Sequence, residues 1–163
     1  MELIPMLLKE MEQEAQITRK MLDRVPDDKF NWQPHPKSMT MQRLATHVAE
    51  LPEWTKMAVT TNELNLDMDH FEPVLAKNRK ELLEMFEKNL AEAKANLENA
   101  TEELLTEPWT MRSGDQVYYK ATKADVIRMS FSQTVHHRAQ LGVFLRLNDI
   151  PIPASYGPSA DEH

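Results

Sequence analysis

The chain has 163 residues, with 3 Gly, 10 Pro and no Cys, and its 19 Lys and Arg against 26 Asp and Glu leave a net charge of −7. Zero Cys excludes disulfides, thiolate metal ligands and a cysteine nucleophile, and it fits a reducing, cytoplasmic setting. So few glycines argue against a β-rich fold, and so acidic a chain, with no basic run longer than a pair, argues against nucleic acid as a partner. No apolar stretch approaches the roughly 20 residues that span a bilayer, and Met1 to Pro5 lacks the basic start of a signal peptide.

Four long segments carry helical periodicity, and prolines fill the spaces between them. The first runs from about Glu2 to Val25, with Leu3, Leu7, Met11, Ala15, Thr18 and Leu22 at three- and four-residue steps. The second starts near Thr40, a plausible N-cap, and buries Met41, Leu44, Val48, Leu51 and Ala58. Pro52 removes the amide that would bond the Val48 carbonyl, so this helix should kink or break there. The third spans roughly Leu75 to Leu105, on the stripe Leu82, Phe86, Leu90, Ala93, Leu97 and Leu104. Trp109 and Met111, then Val117 and Tyr119, alternate with polar residues about the turn Ser113-Gly114-Asp115, which predicts a β-hairpin. The fourth helix opens at Thr122, with Asp125 three residues later, and runs to about Leu147. Residues 148–163 contain Pro151, Pro153 and Pro158 and form a non-helical tail. The expected fold is all-α, a four-helix bundle with a short β-hairpin between helices 3 and 4.

A helical bundle makes sites from polar side chains that point inward. His47 falls three residues after Leu44 and four before Leu51, on the edge of the buried stripe. Glu50, Glu53 and Lys56 fall toward the opposite side. On the fourth helix, taking Arg128 and Arg146 as the solvent side puts Gln133 and His137 on the inward face, together with Val126, Gln140 and Phe144. His136 turns about 100° away from His137, toward the boundary. Inward polar groups need partners, so these residues either hydrogen-bond within the core or grip a metal. Two ligands at i and i+4 on one helix, with His47 on a neighbouring helix, would leave an open position for water or substrate.

The chain resembles the DinB/YfiT-like superfamily over nearly its full length, residues 1–163 as a single domain. Asn31-Trp32-Gln33-Pro34 followed by Ser38-Met39-Thr40-Met41 is similar to the family's lead into its second helix. Ala45-Thr46-His47-Val48-Ala49-Glu50 resembles its histidine-bearing segment, and His136-His137-Arg138-Ala139-Gln140-Leu141 its fourth-helix signature. Pro153-Ala154-Ser155-Tyr156-Gly157-Pro158-Ser159 resembles its ending. The resemblance implies an up-down-down-up bundle, usually a homodimer, with a divalent metal, often Zn or Ni, on three histidines. His47 and His137 match the first and last of these. Gln133 stands where the middle histidine is expected. Its amide oxygen is neutral and harder than imidazole nitrogen, so Gln133 is a weaker third ligand, or His136 substitutes, or the metal is absent.

The resemblance implies a metal-dependent transferase acting with an external low-molecular-weight thiol, whose pKa the ion lowers. Arg138 or Lys120 would neutralise a carboxylate of that thiol, and Trp54, Tyr118 and Tyr119 would line the pocket. The alternatives are a non-catalytic dimeric module with a degenerate metal site, and a metal-dependent hydrolase, for which Glu50 as base points the wrong way. Ser132, Val135, Ala139 and Gly142 on the outward side of the fourth helix would allow close approach in a dimer, or form a groove that the tail fills.

Overall fold

The structure, a computed structural model, describes residues 2–67 and 74–162, so His163 of the expected tail lies outside the described residues. The apolar stripes become helices as expected, with two breaks. α1 (Leu3–Asp23) buries Leu7, Met11, Ala15, Thr18 and Leu22. Thr40 caps α2 (Met41–Glu50), its hydroxyl accepting the Arg43 amide at 3.2 Å. Without an amide at Pro52 the ladder stops, and a new helix, α3 (Glu53–Thr60), starts. The third expected helix also divides. Asn78 caps α4 (Arg79–Glu98), which ends at Asn99, and Thr101 caps the separate α5 (Glu102–Leu105). The new cap changes the register, so Leu105 is buried and Leu104 only half-buried.

The expected hairpin forms from β2 (Pro108–Ser113) and β3 (Gln116–Thr122), turning at Gly114 with φ +54°. The all-α expectation needs correction here, because β1 (Glu63–Asn65) pairs parallel to β2 and makes a three-stranded sheet in the order β1-β2-β3. Three residues are too few for strand alternation to show in a sequence. The fold is therefore mostly helical with a small sheet, rather than helices with a bare hairpin. α6 (Lys123–Leu147) opens on the full Thr122–Asp125 capping box.

α1, α2 and α3 each pack against both α4 and α6. One apolar cluster joins them, from Leu7 through Leu44, Phe86 and Trp109 to Leu145. None of the described helices is long and apolar enough to cross a membrane.

Candidate functional site

The orientation of α6 decides which of its polar residues can act. Its buried stripe is Ile127, Ser130, Phe131, Thr134, Arg138, Leu141 and Leu145. Gln133 and Gln140 are exposed, which corrects the expectation that both face inward. The stripe is rotated because its middle is polar. Ser130 donates to the Ile127 carbonyl at 2.8 Å and Thr134 to the Ser130 carbonyl at 2.9 Å, so both hydroxyls are satisfied on their own helix. Arg138 was expected to reach a substrate, but it is 3% exposed and ion-paired with Glu14 of α1 at 2.7 Å. It also donates to Thr18 Oγ1 at 2.9 Å and to the Tyr156 hydroxyl of the tail at 2.7 Å. It is a strut between α1, α6 and the tail. Gly142, expected on an outward dimer face, instead faces the core, where a Cβ would lie 3.5 Å from Met21 Cε and 4.0 Å from Ile152 of the tail.

His47 and His137 do come together. Their rings stand edge to face, with centroids 4.6 Å apart, and His136 stacks 4.8 Å beyond His137. Each of the two imidazoles meets an acceptor three residues further along its own helix. His137 Nδ1 lies 3.0 Å from Gln140 Oε1, and His47 Nδ1 lies 3.5 Å from Glu50 Oε2. With Nδ1 as the donor to each of these oxygens, both Nε2 atoms would keep a lone pair. The other end of the Gln140 amide, Nε2, lies 3.2 Å from His136 Nε2. Burial above all, with the neighbouring His47, His136 and Arg43, pulls His137 below its ordinary 6.5 against the Gln140 bond, so its ring is neutral at pH 7.

Glu50 corrects a second expectation. It is buried at 9% exposure beside His47, where it also accepts from Arg43 Nη1 at 3.3 Å. Residues three apart on a helix differ by only about 60°, so the two side chains share a face. Together with Arg43 they form the α2 wall of a cleft of about 390 Å³. Glu53 and Lys56, also expected on the far side, line the same cleft. The helical ladder is interrupted at Pro52, and α3 starts anew at Glu53. Trp54, Met57, Leu64, Leu66 and Met111 supply its apolar surface. Tyr118 and Lys120 are exposed on β3 and are not among the described residues that line it.

A family model for the DinB family matches residues 2–162. The chain belongs to the DinB family. Two solved structures of DinB-like proteins share the fold. One, from Bacillus subtilis, has a TM-score of 0.73 at 16% identity and covers 93% of this chain and 99% of its own. The other, from Bacillus cereus, has a TM-score of 0.73 at 18% identity and covers 92% and 95%. No curated protein matches.

The donor chemistry of this DinB-family chain fits a divalent metal as a two-imidazole pair. Ligating histidines usually donate their other ring N–H to a carboxylate or carbonyl, and Glu50 and Gln140 are placed to receive those protons. Among the described residues no three His, Cys, Asp or Glu stand together as a complete ligand set. The sequence reading sets Glu50 on the far side and gives Gln140 no role, although the i, i+3 spacing from each histidine is the signal that pairs them.

Proposed function

We propose that this DinB-family chain is a metal-binding protein that acts with a low-molecular-weight thiol on a small molecule held in the α2–α3 cleft. The observation that carries the reading is the matched pair of Nδ1 bonds, His47 to Glu50 and His137 to Gln140, which leaves both Nε2 lone pairs available. His47 and His137 would hold a Zn or Ni ion, with Gln133 as the weaker third side chain. The ion's chemistry there is that of a Lewis acid, lowering the pKa of a thiol bound to it. The thiol is external, because the chain has no Cys. Glu50 and Gln140 keep the two rings in one tautomer and one orientation. Arg43 offsets the charge of Glu50. Trp54 and Met57 screen the cleft from water.

We read α1, the α2–α3 pair, α4 and α6 as the four columns of an up-down-down-up bundle. We also read the protein as a homodimer through the outer face of α6, where Val143 and Leu147 are 58% and 59% exposed and Ser132 and Ala139 leave room.

Metal analysis of protein purified without added metal tests the reading. Wild type is expected to carry substoichiometric metal, Gln133→His more, and His137→Ala none. Equal and negligible metal in all three would overturn it in favour of a non-catalytic module. The buried carboxylate beside His47 favours one second reading, hydrolysis with Glu50 as general base. Under that reading Glu50→Gln retains metal but loses ester hydrolysis, whereas the thiol reading predicts no hydrolysis in either protein.

A further inference from the structure

The cleft beside His47 has a character that its metal-binding edge does not explain. Five apolar side chains from three segments line it, and one of them is a tryptophan. The ring of Trp54 is only half-buried and is braced from behind by Trp109, with centroids 6.2 Å apart at 61°. Trp109 is fully buried, and its Nε1 donates to Thr61 Oγ1 at 3.0 Å. Thr61 Oγ1 in turn donates to the Met57 carbonyl at 2.8 Å. Lys123, 1% exposed, donates from Nζ to the Thr61 carbonyl at 2.6 Å. These bonds lock the end of α3, and with it the wall that carries Trp54 and Met57, before any ligand arrives.

The two cations of the cleft are already paired. Arg43 is paired with Glu50 at 3.3 Å and Lys56 with Glu92 at 2.7 Å, while Glu53 adds a further carboxylate. An anion would meet paired cations and an extra negative charge. The volume, about 390 Å³, falls in the range of about 300–1,000 Å³ typical of small-molecule sites.

From the preorganised Trp54 wall, the apolar lining and the paired cations, we propose that the cleft takes an uncharged small molecule with an aromatic body stacked on Trp54. The inference deepens the function proposed above by naming the class of the thiol's reaction partner. Its test uses metal-free protein, so loss of the metal reading and loss of this one are distinguishable.

The probe is N-phenyl-1-naphthylamine, titrated into the full chain in the presence of a chelator and read by its fluorescence. One saturable site per chain is expected. Met57→Glu and Leu66→Asp should each weaken binding by about tenfold or more, since each puts a charge against the ring. Leu66 is 47% exposed, so its variant folds even if Met57→Glu does not. Val117→Ser, at an exposed position of β3, should leave the affinity unchanged. A sulfonated analogue, 8-anilinonaphthalene-1-sulfonate, should bind about tenfold more weakly than the neutral probe. Absence of saturable binding, affinity unchanged in a folded Leu66→Asp, loss of binding in Val117→Ser, or equal affinity for the sulfonate would each overturn the proposal.

Discussion

Arg138→Met removes a guanidinium that is 3% exposed and leaves the Glu14 side chain, 13% exposed, without its counter-charge. Removing one partner of a buried pair costs about 3–5 kcal/mol, because the surviving charge stays desolvated. Tyr156, whose hydroxyl donates to Glu14 at 2.7 Å, still solvates that carboxylate, so the lower end applies, about 3 kcal/mol. At about 2–4 °C per kcal/mol for a domain of this size, thermal unfolding followed by circular dichroism at pH 7 should fall by about 6–12 °C. The double variant Arg138→Met with Glu14→Met removes both charges and keeps apolar volume, so most of the loss should return. In the folded single variant, binding of the neutral probe in the cleft should match wild type, since Arg138 lies against α1 and the tail. A single variant that melts within about 2 °C of wild type, or a double variant less stable than the single, would refute the strut assignment. Unchanged melting with loss of thiol binding would return Arg138 to the substrate role suggested by the sequence.

Two further outcomes follow from other buried or tethered groups. Thr55 Oγ1 is, among the described residues, a buried hydroxyl with no hydrogen-bond partner, so Thr55→Val should raise stability in urea denaturation by about 1 kcal/mol; a loss instead would mean that the hydroxyl is satisfied. Asp161 holds the tail to Arg146 and to the Ile152 amide, and these two partners, Arg146 foremost, keep its carboxyl below the ordinary 3.8. A lowered carboxyl pKa gives stability that is present above 3.8 and is lost as the pH falls through the lower folded value. The melting difference between wild type and Asp161→Asn should therefore shrink below pH 4 and in high salt, and a difference constant from pH 5 to pH 2.5 would contradict the tether.

The helices were legible because their stripes of Leu, Met and Phe repeat at the helical period, and caps such as Thr40 and Thr122 announce their starts. Pro52 announced the break between α2 and α3. β1 was not legible, since its pairing with β2 is a tertiary event written in only three residues. At the site, His47 and His137 are legible in the sequence from their places on two amphipathic helices. The faces of Gln133 and Arg138 were misjudged for one reason. Hydrophobicity orients a helix only where the buried face is apolar, and α6 buries Ser130, Thr134 and an ion-paired Arg138 along its middle. The neighbour that makes Arg138 an inward residue is Glu14, 124 positions away in the sequence. No local pattern carries that information.

In the proposed site, Glu50 and Gln140 hold two imidazoles with both Nε2 atoms ready to bind a metal. Long-range proton–nitrogen correlation NMR of histidine-labelled, metal-free protein at pH 8, followed by addition of Zn, reads it directly. Nδ1–H tautomers are expected for His47 and His137 before addition, and a shift of both Nε2 resonances on addition. Nε2–H tautomers at either ring, or Nε2 resonances unmoved by saturating Zn, would contradict it.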